Sequence, residues 1–150
     1  MEPKPKEQKR IYIANDIECT GNTVGIHSVM SWGACVVTRE KLTKEERLKE
    51  GLTFYAEFKP KSSRFEPEAV KIGCAGLSFV KVMKVTDLRF DPASKEFDPG
   101  LVVTGLYDLG EGVFEGVSRF MRWIKDIKET AGGDVRIVPV TDTVFLTPCS

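Results

Sequence analysis

The sequence predicts an α/β domain: a mixed β-sheet whose first three strands form an antiparallel meander, with flanking helices and a parallel strand added by a crossover. Three observations predict it. Segments rich in β-branched and aromatic residues follow one another at 11–18, 28–38 and 53–60. A long stretch with apolar residues at helical spacing comes later, from about Gly112 to Thr130. A last apolar run, Val135 to Val140, follows that helix.

Taken in order, residues 1–10 read as a solvated tail with alternating charges and two prolines, ahead of a domain over 11–150. Isoleucine and tyrosine open the first strand, Ile11 to Glu18, and Thr20-Gly21-Asn22 is a turn cluster. Ser28 to Thr38 is close to continuously apolar, which predicts a second strand covered on both faces. Arg39 to Gly51 is a dense charge run. Its Glu40–Lys44 and Glu45–Lys49 pairs, at i,i+4 in the favourable order, fit a short exposed helix or an extended hairpin loop. Acidic and basic residues nearly balance there, so a solvated face is favoured over a nucleic-acid arm. Thr53 to Pro60 is the third strand, ended by its proline.

Glu66 to Ile72 predicts a short helix, with Pro67 in its first turn and Gly73 as its C-terminal cap. Residues 74–110 carry Asp-Pro twice and Pro-Gly once, which predicts loops around one short apolar segment, Leu101 to Thr104. In the long helix, Val113, Val117, Phe120, Ile124 and Ile127 step by 4, 3, 4 and 3, a buried face packed on the sheet. Gly132-Gly133 stops it, and Val135 to Val140 is expected as a buried strand.

Composition sets limits on function. The 150 residues suit one domain, and 41% apolar content is enough for a core. Lys plus Arg and Asp plus Glu are both 22, so there is no global attraction for polyanions. Any nucleic acid would have to be held by local groups and bound metal, and a soluble protein without such a partner fits the charge equally well. No apolar run reaches the length of a membrane span, and Met1 to Arg10 has no signal-peptide core. No membrane partner and an intracellular, cytoplasmic location are the expectation. The cysteines at 19, 35, 74 and 149 show no C-x-x-C spacing, against a zinc knuckle, and are expected reduced and mostly buried.

The segment with chemistry in it is Ile11-Tyr-Ile-Ala-Asn-Asp16-Ile-Glu18-Cys-Thr-Gly21. On a strand, residues i and i+2 point the same way, so Asp16 and Glu18 project together and Ile17 faces the core. Two carboxylates at the end of a buried strand repel each other and lose hydration. A divalent cation relieves both costs, and oxygen-only ligands favour Mg²⁺ or Mn²⁺. Two such ions about 3.5–4 Å apart can activate a water and stabilise the leaving oxygen of a phosphodiester. Spacing alone is not specific, because D-x-E also occurs in ordinary surface strands.

The string Asp16-Ile-Glu-Cys-Thr-Gly21, followed by Ser28-Val-Met-Ser-Trp-Gly-Ala-Cys-Val-Val37, resembles the first motif of the DEDD (DnaQ-like) 3′–5′ exonuclease family. That motif typically reads Asp-Ile-Glu-Thr-Thr-Gly, with a second strand reading Ile-Gly-Ala-Val. Phe54-Tyr-Ala-Glu-Phe-Lys-Pro60 is similar to the family's third strand, Glu68-Ala-Val-Lys-Ile-Gly73 to its next helix, and Phe114 to Ile124 to the helix before its second motif. The resemblance implies a ribonuclease-H-like fold, two divalent ions, and stepwise removal of nucleotides from the 3′ end of single-stranded DNA or RNA. It implies Asp16 and Glu18 as metal ligands and catalytic carboxylates, and Thr20 and Gly21 as candidate substrate contacts. A homodimer is left open as an assembly.

Departures begin after the long helix. The family's second motif has a strand ending Val-Ser-Asp-Asn, then Phe-Asp. Here the sequence reads Val138-Pro-Val-Thr-Asp142-Thr-Val-Phe145-Leu-Thr-Pro-Cys-Ser150. Asp142 aligns with the aspartate of Ser-Asp-Asn and is carried only as a further candidate metal ligand. Leu146 or Thr147 stands where the metal-binding aspartate belongs. The third motif, His or Tyr five residues before Asp, has no counterpart. His27, the sole histidine, lies near the first motif and reads as a loop or strand-edge residue. The chain is therefore expected to be the N-terminal two-thirds of the usual domain. Three functions remain: a two-metal exonuclease impaired in this chain, an exonuclease-like binding or structural module without catalysis, and an unrelated α/β domain.

Overall fold

The structure is a computed structural model and describes residues 2–3 and 6–141. Strands β1 (Lys9–Cys19), β2 (Val29–Val36) and β3 (Thr53–Glu57) form the antiparallel meander, and β4 (Val135–Thr141) lies parallel to β1. The strand order is β3-β2-β1-β4, so β1 is bonded along both edges. Ile13, for example, pairs with Val36 on one side and Pro139 on the other. The helices are α1 (Lys44–Lys49), α2 (Pro67–Gly73), α3 (Ser78–Met83), α4 (Pro99–Leu109) and α5 (Val113–Thr130). The α/β class, the meander and the parallel crossover are as the sequence predicts. Among the described residues, no helix is long and apolar enough to cross a membrane.

Strand alternation divides the core into two layers. On one face of the sheet, Ile13, Ala34, Phe54, Ala56 and Phe58 pack against Phe120, Trp123 and Ile124 of α5. Trp32, Phe54, Phe120 and Trp123 form a ring cluster there, with successive centroids 4.1–5.9 Å apart. On the opposite face, Met30 joins Val70, Cys74, Leu77, Val80, Val102, Val103 and Leu106 from α2, α3 and α4. Met30 reaches that layer through a bulge: Glu18 pairs with Ser31 but Cys19 with Val29, which leaves Met30 as the extra residue.

Several expectations need correction. Residues 74–110 are not loops around one short segment but contain α3, a 3-10 turn at Leu88–Phe90, and the eleven-residue α4. The second Asp-Pro misleads because it starts a helix. Asp98 is the N-cap, its carboxylate accepting from the Gly100 N–H at 3.0 Å, and Pro99 occupies the first turn. Gly73 is the last residue of α2 rather than its cap, and Cys74 caps it in the right-handed helical region.

In α5, Val113 and Val117 are 39% and 42% exposed, not buried. The contact line runs instead through Gly116, Phe120, Trp123 and Ile124. Gly116 sits so close to Phe58 that a Cβ there would meet its ring. A glycine carries no hydropathy signal, so the periodicity displaces the predicted stripe. Strand β4 is an edge, not a buried strand: Val135 is buried, but Pro139 and Val140 are exposed. Proline, lacking an N–H, suits such an edge. Cys35 and Cys74 are free, as expected, but Cys19 is disulfide-bonded. Absence of C-x-x-C spacing bears on metal sites and not on which sulfurs a fold brings together.

Leu106→Ala, which opens a cavity in the α2–α4 layer, should lower stability by about 2–5 kcal/mol in urea titration. Val117→Ser should stay within about 0.5 kcal/mol of wild type. The reverse order would place the buried face of α5 on the valines after all.

Candidate metal centre

Asp16 and Glu18 lie near the C-terminal end of β1, two residues apart and therefore on one face. Asp16 pairs with Gly33 and is exposed, while Glu18 pairs with Ser31 and is half-buried at the bulge. Helix α2 closes against Glu18 through Gly73. A Cβ on Gly73 would lie 2.7 Å from the Met30 methyl carbon and 3.0 Å from Glu18 Oε2. A side chain at this position would have to displace the Met30 methyl and the Glu18 carboxylate. Burial, and secondly the neighbouring Asp16 charge, push the Glu18 carboxyl above the usual carboxylate range. Among the described residues, neither carboxylate has a lysine or arginine within ion-pair distance. Ile17 faces the other way, as alternation requires, but is half-buried beside a cavity rather than sealed in the core.

The meander's register extends this polar face. Glu18, Ser31 and Glu57 are paired across β1, β2 and β3, and Asp16, Gly33 and Tyr55 form the next row. Glu57 Oε1 accepts from the Ser78 N–H at 2.6 Å and lies 3.2 Å from the Tyr55 hydroxyl. Burial first, then the Glu57 charge, push the Tyr55 hydroxyl well above its ordinary value, so it stays protonated. Sequence reasoning missed Gly73, Tyr55 and Glu57. The signal for the last two was there: in Phe54-Tyr-Ala-Glu-Phe58 the polar residues alternate with the apolar ones, and meander pairing brings them into the rows of Asp16 and Glu18.

Thr20 and Gly21 belong to the loop after β1. Thr20 is fully buried, and its polar atoms are committed to the scaffold. Its N–H donates to the Ser28 carbonyl at 2.8 Å, its hydroxyl accepts from the Ser28 N–H at 2.8 Å, and its carbonyl accepts from the Glu66 N–H at 2.7 Å. One residue thus ties together the end of β1, the start of β2 and the start of α2. Gly21 lies under the His27 ring, where a Cβ would fall 2.6 Å from ring atoms. His27 Nδ1 accepts from the Thr23 N–H at 2.9 Å, which makes it a loop-locking residue. Asp142, together with Leu146 and Thr147, lies outside the described residues. Among the described residues, no three His, Cys, Asp or Glu side chains come together as a metal site.

The donor chemistry of Asp16 and Glu18 nevertheless suits a hard divalent cation: carboxylate oxygens only, uncompensated charge, and one partner open to solvent. No family model and no curated protein matches the chain.

Because the folded state raises the Glu18 pKa, ionising Glu18 opposes folding. That cost is absent below the ordinary carboxylate range and grows as pH rises through the raised value. In chelator, Glu18→Gln should therefore melt with wild type at about pH 4 but above it at about pH 7. Mn²⁺ should narrow the gap at about pH 7 by stabilising wild type selectively. Equal melting temperatures across that range would show that Glu18 carries no such cost.

Proposed function

We propose that this chain is a metal-dependent 3′–5′ exonuclease domain of ribonuclease-H-like type, slow in its present form. Its substrate is the 3′ end of single-stranded DNA or RNA. The observation that carries this reading is the uncompensated Asp16–Glu18 pair on the doubly bonded central strand, with the Glu18 carboxyl raised by burial and by Asp16. The β3-β2-β1-β4 order, antiparallel then parallel, supports the ribonuclease-H-like form of the sheet.

In this reading Asp16 and Glu18 hold Mg²⁺ or Mn²⁺, with Asp142 as the further candidate. Bound ions supply the charge that activates a water and stabilises the leaving oxygen. The chain's own residues do the rest. The bulge at Met30 and the close approach of Gly73 fix where the Glu18 carboxylate sits. Thr20 anchors the turn that carries Gly21, which is itself buried beneath the His27 ring. With zero net charge, phosphate is attracted locally, by metal, and not by the chain as a whole.

Proton transfer is the weak point. His27 is the chain's one histidine, and its Nδ1 is occupied by the Thr23 N–H. That engagement favours, as a second reading, a module that holds a 3′ end without cutting it. A missing general base costs about 10²–10⁴-fold in rate.

End-labelled oligonucleotides incubated with Mg²⁺ or Mn²⁺ test the proposal. The expected result is slow laddering from the 3′ end, abolished in Asp16→Asn/Glu18→Gln. Laddering that survives the double substitution would overturn it, and 3′-end binding with no cleavage at all would select the second reading.

A further inference from the structure

The other face of β1 carries a separate site. A cavity of about 460 Å³ opens between the 20–27 loop, the end of β3 and the first turns of α5. That volume falls within the range of small-molecule sites, about 300–1,000 Å³. Its wall is apolar: Ile17, Val29, Trp32, Phe58, Val113 and Val117. Two of these, Val113 and Val117, are the α5 residues that sheet packing leaves exposed. The Trp32 indole N–H is already bonded to Asn15 Oδ1 at 3.0 Å, so the ring offers the cavity carbon surface alone.

The polar rim has one sign. Lys59 and Lys61 line the cavity, and no aspartate or glutamate does so among the described residues. Neither lysine has an ion-pair partner among the described residues. Ser62, on the same rim, sends its hydroxyl to the Ile26 carbonyl at 2.8 Å and so braces the loop that roofs the space. An apolar chamber with a purely cationic lip matches a ligand that is carbon at one end and anionic at the other.

We infer that this cavity binds a small amphipathic anion, an aromatic or aliphatic carboxylate, sulfonate or phosphate. Its apolar body lies against Trp32, Val113 and Val117, and its charge is at Lys59 and Lys61. The site is distinct from the carboxylate centre, because strand alternation sends Ile17 away from Asp16 and Glu18.

The probes are 8-anilinonaphthalene-1-sulfonate, read by its fluorescence, and monomeric dodecanoate as competitor. Saturable one-to-one binding of the fluorophore is expected, displaced by dodecanoate and not by anionic phosphatidylglycerol vesicles. The chain has two tryptophans, so in Trp123→Phe the remaining emission reports Trp32 and should change on binding. Val117→Glu, at an exposed position, should abolish binding. Lys59→Ala/Lys61→Ala should weaken it roughly tenfold, the worth of one charge-assisted contact. Asp16→Asn/Glu18→Gln should leave it unchanged, which separates this site's fate from that of the metal centre. Absence of binding, affinity indifferent to both Val117→Glu and the lysine pair, or displacement by vesicles alone would overturn the inference.

Discussion

Pairing of β1 along both edges, with β2 antiparallel and β4 parallel, forces its side chains into two opposed sets. Ile11 and Ile13 go to the α5 layer, while Asp16 and Glu18 go to the opposite face. A one-residue slip in this register would exchange the two sets and bury both acids under α5. The remaining architecture follows. The ring cluster of Trp32, Phe54, Phe120 and Trp123 can form only on the face that β1 leaves apolar. Helices α2 and α4 cover the other face up to, and not over, the carboxylates.

Close approach then does what charge pairing does elsewhere in the molecule. Arg119 is held by Glu111 and lies 4.9 Å over the Phe54 ring, and Arg89 is held by Asp87. Asp16 and Glu18 have no such partner among the described residues. Gly73 brings α2 against Glu18 and strips water from it, and Asp16 adds like charge. The fold thus maintains a local electrostatic cost, which fits a position reserved for a cation better than a structural carboxylate.

What the sequence made legible was whatever rests on period and side-chain chemistry. The meander, the D-x-E pair on one face and the α5 boundaries come from alternation, spacing and propensity. What it hid depends on contacts without a sequence signature. Gly116 against Phe58 displaces the buried face of α5 from Val113 and Val117, and the bulge at Met30 is invisible until Ser31 is seen opposite Glu18. Asp98-Pro99 reads equally as a turn or as a helix start, and packing of Val102, Val103 and Leu106 decides it. Tyr55 and Glu57 do show their polar alternation in the sequence, and the β2–β3 register is what sets them in the rows of Asp16 and Glu18.

The central claim, that Asp16 and Glu18 together form a cation site, is tested most directly by paramagnetic broadening. Substoichiometric Mn²⁺ should broaden the amide signals of Asp16, Glu18, Ser31 and Gly73 first, sparing the α5 layer around Trp123. The effect should vanish in Asp16→Asn/Glu18→Gln. Broadening spread evenly over the surface, or centred on the same residues in the double variant, would contradict the account.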